Sequence, residues 1–216
     1  MIQKEITIKK ATLLQISEIY DLYQSVHINE ENLKNKIDPN HPNNFSKTGG
    51  IFDKPDKAYL KKIIKSKHYD VLVALSNRSK KVIGYASFHL GSIERFQKSD
   101  IKNYNELTVN DFQHFIDYLI VGKTVYAMDM IIEAKWRRKN ICLSLQNYEY
   151  SSIKNKYSYV FYEIYSIINQ GMKLLNPNYF LAANAFNTKR IGYFYKVLKV
   201  GSNFVNIKSD FHLLRI

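Results

Sequence analysis

The chain has 216 residues, 32 Lys and Arg against 19 Asp and Glu, and a formal net charge of +13. That length suits one domain with a core of its own, and 45% hydrophobic with 14% aromatic residues is too apolar for a disordered basic tail. The single cysteine, Cys142, excludes an internal disulfide framework and a multi-cysteine zinc site. Of the cations 26 are Lys and 6 are Arg, which weakens a nucleic-acid reading, because Arg is the better bidentate partner of phosphate and guanine. A charge of +13 still implies attraction to something anionic: nucleic acid, acidic lipid or a phosphate-rich ligand.

Taken in chain order, Ile6 and Ile8 alternating with Thr7 and Lys9 read as a first strand over 4–10, not as the apolar run of a signal peptide. No run of about 18 apolar residues follows, so the expectation is a soluble cytoplasmic protein; the richness in Lys, Asn and Ile suggests an AT-biased, bacterial coding sequence. Ile16, Ile19, Tyr20 and Tyr23 fall at helical spacing. Residues 28–56 carry turn chemistry (Asp38-Pro39-Asn40, Pro42-Asn43-Asn44, Gly49-Gly50, Pro55) and read as a long loop. Leu60, Ile63 and Ile64 mark a short helix, and 70–75 with 82–90 an antiparallel hairpin.

Thr108 and Asp111 resemble a capping box ahead of a helical stripe, Phe112 to Leu119, that Gly122 ends. Strand 124–133, a basic turn, a helix from about Ile141 and strand 157–165 then form a βαβ crossover. A helix is expected over 166–176 up to Pro177. Another is expected from Asn187 as N-cap through Ile191, Phe194, Tyr195 and Leu198 to Gly201, followed by two short strands. The whole is a mixed α/β single domain over 1–216.

The turn Trp136-Arg137-Arg138-Lys139-Asn140-Ile141-Cys142-Leu143 places three cations at a helix start. Unpaired N–H groups and the helix dipole favour an anion there, whereas cations in a first turn oppose the dipole. An anionic ligand removes that conflict; a solvated basic loop is the plainer alternative.

In this setting the chain resembles the GNAT (GCN5-related N-acetyltransferase) superfamily. Its signature, Gln/Arg-x-x-Gly-x-Gly/Ala after a central strand, corresponds to Arg137-Arg138-Lys139-Asn140-Ile141-Cys142, with Asn140 and Cys142 in the glycine places. Trp136-Arg137 resembles a common Tyr-Arg pair and Ile83-Gly84-Tyr85 a frequent hairpin pattern, and Asn187-Thr188-Lys189-Arg190 resembles the opening of the family's last helix. The resemblance spans almost the whole chain, with 91–123 and 166–186 read as insertions. It implies a mostly antiparallel mixed sheet with a βαβ CoA-binding unit, and N-acetyl transfer from acetyl-CoA to an amine acceptor by direct attack.

It further implies that pyrophosphate rests on backbone N–H groups from Arg138 to Leu143, with Arg137, Lys139, Asn140, Ile141, Cys142 and Asn187 contributing to the cofactor site. The thioester carbonyl would face donors around Ile131 and Ile132, in a strand splayed from its neighbour. The base is expected at Asp129 or Glu133, unless these carboxylates merely pair with lysines. The acid is expected at Tyr195, with Tyr193 its neighbour, unless Tyr195 packs in a core. A covalent role for Cys142 has little support, and the scattered histidines offer no metal site. Other readings are a GNAT-fold binding module without catalysis, a longer-chain acyl-CoA N-acyltransferase, and a basic nucleic-acid-binding protein. The acceptor stays open, as does monomer against homodimer.

Overall fold

A computed structural model describes residues 5–38, 40–44, 50–52, 54–91, 124–169, 172–173 and 189–215. The expected helix over 108–122 lies outside them, as does Asn187. Among the described residues no helix is long and apolar enough to cross a membrane.

The chain enters through β1 (Ile6–Lys10), a 3-10 turn (Leu13–Gln15), α1 (Ile16–Val26), α2 (Glu30–Ile37) and α3 (Lys57–Lys65). β2 (Tyr69–Ser76) and β3 (Val82–Leu90) form the expected hairpin, and β4 (Thr124–Ile132) leads through a short 3-10 turn (Ala134–Trp136) into α4 (Ile141–Ile153). β5 (Tyr159–Asn169), β6 (Met172–Lys173), β7 (Lys189–Val200) and β8 (Asn203–Arg215) complete it. The sheet order is β1-β2-β3-β4-β5-β8-β7, with β6 beside β5. Among the described strands of this sheet every pairing is antiparallel except β4 with β5, so the βαβ crossover stands where the sequence placed it.

Strand alternation divides the core into two layers. Val71 and Val73 of β2, Tyr85 of β3 and Ile131 of β4 face Ile19, Leu22 and Tyr23 of α1 and Leu60 and Ile63 of α3. Leu72, Ala74, Ala86 and Ile132 point the other way, to Ile141, Leu145 and Ile153 of α4. The period of two in the strands thus supplies both helical layers from one sheet.

Four expectations are corrected. The supposed loop 28–56 contains α2, whose start is a reciprocal cap: the Asn32 N–H donates to Asn29 Oδ1 and the Asn29 N–H to Asn32 Oδ1, both at 3.0 Å. The helix expected over 166–176 is instead the end of β5 and the small hairpin partner β6, through Ile168↔Lys173 and Asn169↔Met172. The last helix, expected to carry Tyr195, is β7; Tyr195 lies opposite Lys208 in its ladder with β8. The two short closing strands are one, β8.

The cause of the β7 reversal is an ambiguous period. The run IGYFYKVLKV is apolar enough to match a helical stripe, yet it is rich in aromatic and β-branched residues that suit a ladder. A two-residue turn decides it: Val200 pairs with Asn203, and Gly201, first in the turn, adopts φ +60.

Gly84 shows how tightly α4 is seated. A Cβ there would meet Ile132 Cδ1 at 2.8 Å, Ile141 Cγ2 at 3.2 Å and Ala74 Cβ at 3.3 Å. Gly84→Val is therefore expected to cost about 1–3 kcal/mol by overpacking, read by denaturant unfolding. Unchanged stability would show that the start of α4 is not fixed by this contact.

Candidate active site

Two departures from regular pairing meet in β4. The first is a bulge. Ser87 of β3 pairs with Asp129, but Phe88 pairs with Ala127, leaving Met128 as the extra residue. The second is a parting of strands. The parallel ladder between β4 and β5 runs from Thr124↔Tyr159 to Ala127↔Tyr162 and stops, while β5 continues against β8 to Ile167↔Ile207. Past Ala127, β4 runs on to Ile132 paired with β3 alone among the described residues.

The register tells which backbone groups face the parting. The Glu133 N–H donates to the Ile83 carbonyl at 2.9 Å. By alternation, the backbone of Ile131 also turns toward β3, opposite Tyr85. The backbones of Met130 and Ile132 then turn toward the side β5 has left. The Ile132 carbonyl there accepts the Arg137 Nε–H at 3.2 Å, which ties the basic turn to the end of β4.

That turn has an unusual backbone. Arg137 is extended, Arg138 has φ +61, and Asn140, the residue before α4, has φ +54 and ψ +18. Asn140 thus adopts the left-handed conformation that a glycine would adopt freely, and Asn is among the residues that tolerate it. Arg138 is not such a residue, so holding it there costs about 1–2 kcal/mol. Among the described residues no side chain caps the start of α4, and its first turn holds no acid. The Ile141 side chain is buried on Gly84, while Leu143 is partly exposed.

The cations are distributed unevenly. Lys139 Nζ lies 4.6 Å from the Trp136 ring centroid, and Lys135 pairs with Glu133 at 2.8 Å. From α2, Lys36 contributes a half-buried ammonium whose pKa is lowered by burial and by the positive charge of Arg137. The backbone at the end of α2 is held by Asn44, whose side-chain amide donates to the Lys36 carbonyl at 3.1 Å and the Asp38 carbonyl at 2.7 Å. Because α2 was read as loop, Lys36 had no signal beyond being one lysine of many. Cys142 sits at the same helix start, but burial pushes its thiol up to about 11, opposite to what a nucleophile needs.

Of the two candidate bases, Glu133 is engaged with Lys135. Asp129 is half-buried beside the bulge, where its Oδ2 accepts the Tyr23 hydroxyl of α1 at 2.7 Å. The Tyr23 and Tyr85 rings meet edge to face, centroids 5.3 Å apart. Burial, then the neighbouring Tyr85 and Asp129, holds the Tyr23 hydroxyl well above its ordinary pKa. Tyr85 is likewise raised, first by burial and then by Asp129. In the sequence Tyr23 was legible only as an apolar stripe position, and Tyr85 only as part of the Ile83-Gly84-Tyr85 hairpin pattern. The structure therefore gathers Asp129, Ile131, Ile132, Glu133 and the turn 137–143 along one strand and its exit. Tyr195 is placed only as a strand position.

No family model matches the sequence, and no curated protein does either. Solved structures match in fold over nearly the full length. The ribosomal-protein-S18-alanine N-acetyltransferase from Escherichia coli has 8% identity and a TM-score of 0.58, covering 98% of this chain and 94% of that one. Arabidopsis thaliana NAA60, in complex with a bisubstrate analogue, has 11% identity and a TM-score of 0.60, with 98% of both chains covered. A Salmonella typhimurium structure described as a candidate acetyltransferase, with its cofactor acetyl-CoA, has 14% identity and a TM-score of 0.56, covering 98% and 94%. The likeness is one of fold: this chain is built as the GNAT N-acetyltransferases are.

Proposed function

We propose that this GNAT-fold chain is an acyl-CoA-dependent N-acyltransferase that moves an acetyl group from acetyl-CoA to an amine acceptor. The observation that carries the reading is the parting of β4 from β5 past Ala127↔Tyr162, beside the Met128 bulge and directly ahead of the basic turn. The Met130 backbone and the Ile132 N–H face that parting, where an extended ligand arm can pair with a strand that, among the described residues, has no neighbour on that side. The turn ahead of α4 supplies the other end: uncapped N–H groups from Ile141 to Leu143, the left-handed Arg138 and Asn140, and the cations of Arg137, Arg138, Lys139 and Lys36. These residues suit the pyrophosphate and 3′-phosphate of a CoA. An acyl-CoA supplies an activated thioester; everything else falls to the protein.

In this proposal β4 aligns the thioester carbonyl with fixed backbone donors, stabilising charge that develops on its oxygen. The bulge sets Asp129 within reach of the acceptor, from whose ammonium it removes a proton, directly or through one water. Much of the rate comes from holding amine and carbonyl in register. Tyr195 is kept as a candidate proton donor to the departing thiolate on chemistry alone, since its strand position replaces the helix on which it was expected.

The test is a melting experiment with acetyl-CoA, longer acyl-CoAs, DNA and RNA. A ligand at about a hundredfold excess over its Kd adds about 2.7 kcal/mol to the folded state, a rise of roughly 5–11 °C for a chain of this size. A rise with acetyl-CoA supports the reading. A larger rise with long-chain donors shifts the donor class, and a rise with nucleic acid alone replaces the reading.

A further inference from the structure

Asp129 is held by a residue from another layer of the fold. Tyr23 stands on α1, is fully buried, and reaches across to the sheet, where its hydroxyl donates to Asp129 Oδ2 at 2.7 Å. Its ring is fixed edge-on by Tyr85 and surrounded by the α1–α3 core. The carboxylate is thus anchored from the helical side, one residue past the Met128 bulge. We infer that Tyr23 is a positioning residue, holding the Asp129 carboxylate in a single orientation for taking the acceptor's proton.

This inference rests on the acyltransferase reading of Asp129 as base. Among the described residues, Tyr23 from α1 and Tyr85 and Ser87 from β3 stand against Asp129, with Tyr59 of α3 next to Tyr85. Both Tyr23 and Tyr85 keep their protons through the working pH range, because burial raises them. Tyr23 therefore acts as a permanent donor and not as a proton carrier. A phenol that donates to a carboxylate favours its ionised form, so losing it makes Asp129 a group that deprotonates at higher pH.

The test is Tyr23→Phe, which keeps the ring and its packing and deletes only the hydroxyl. Carbon-13 NMR of labelled Asp side chains follows the Asp129 titration without any acceptor, with Asp129→Asn assigning the signal. The expected result is an upward move of the Asp129 midpoint by about one pH unit. The acidic limb of the pH–kcat/KM profile should move by the same amount, with an unchanged KM for acetyl-CoA. An unmoved titration overturns the inference, and so does a titration that moves while the rate profile stays. Wild-type protein that binds no acetyl-CoA overturns the acyltransferase reading itself, and is seen before any variant is made.

Discussion

Asp129→Asn is expected to lower turnover by about 10²–10⁴-fold across the pH range while leaving acetyl-CoA binding near normal. The magnitude is that of a positioned general base. Asn keeps the size of the side chain and an oxygen that accepts the Tyr23 hydroxyl, so the contact at 2.7 Å has an acceptor in the variant too. What it loses is the ability to take a proton. Release of free CoA thiol in the presence of an accepted amine measures the effect. Unchanged turnover at every pH would remove Asp129 from the mechanism and leave Glu133, already paired with Lys135, as the alternative carboxylate.

Glu149→Gln is expected to stabilise the protein at alkaline pH by several kcal/mol and to change little near pH 5. Glu149 lies on α4, completely buried, against Asp70 at the start of β2. Asp70 in turn pairs with the Lys10 ammonium. Burial first, then the charge of the neighbouring Asp70, push the Glu149 carboxyl up to about 8; Lys10 acts weakly in the other direction. The arrangement is an Asp70–Lys10 ion pair with the Glu149 carboxyl buried beside it, its two oxygens without a hydrogen-bond partner.

The sign follows from linkage. The unfolded chain releases the Glu149 proton near the ordinary value of 4.5, and the folded chain near 8. Its contribution to stability is therefore fully present below about pH 4.5 and is lost as pH rises through about 8. At about 1.4 kcal/mol per pKa unit the loss amounts to several kcal/mol. Gln is neutral throughout, so the variant should lose this pH dependence. Urea unfolding at pH 5 and pH 9 measures it. Parallel curves for wild type and variant would show that Glu149 is ionised in the fold.

The sequence made the strand–turn–helix unit at 124–153 visible because its signals are local. Alternation in TVYAMDMII, a cluster of cations and a helical stripe from Ile141 all fall within thirty residues. The hairpin β2–β3 and helices α1 and α3 were legible for the same reason. What escaped depends on partners distant in the chain. The bulge at Met128 exists only through the register of β4 against Ser87 and Phe88. The parting of β4 from β5 depends on β8 taking over the ladder. Tyr23 and Asp129 are 106 positions apart. Glu149 sits on a helix whose buried face mixes Ile141, Leu145 and Ile153 with Gln146 and Glu149, so no apolar stripe announces its burial.

β7 was misread for a different reason. A run apolar on both periods fits either element, and pairing with β8 decides in favour of the strand. Asn140 is the opposite case. Its left-handed backbone at φ +54 was legible in outline from residue type alone, since Asn stands where the resembled signature has glycine.

Calorimetric titration of acetyl-CoA into wild-type protein and into the Arg137→Ala/Arg138→Ala double variant tests the central claim most directly. The expected result is one site per chain on the wild type, with a Kd between about 1 μM and 1 mM, and at least tenfold weaker binding to a folded double variant. Folded wild-type protein that takes up no acetyl-CoA at millimolar concentration would contradict it, as would equal affinity in the two proteins.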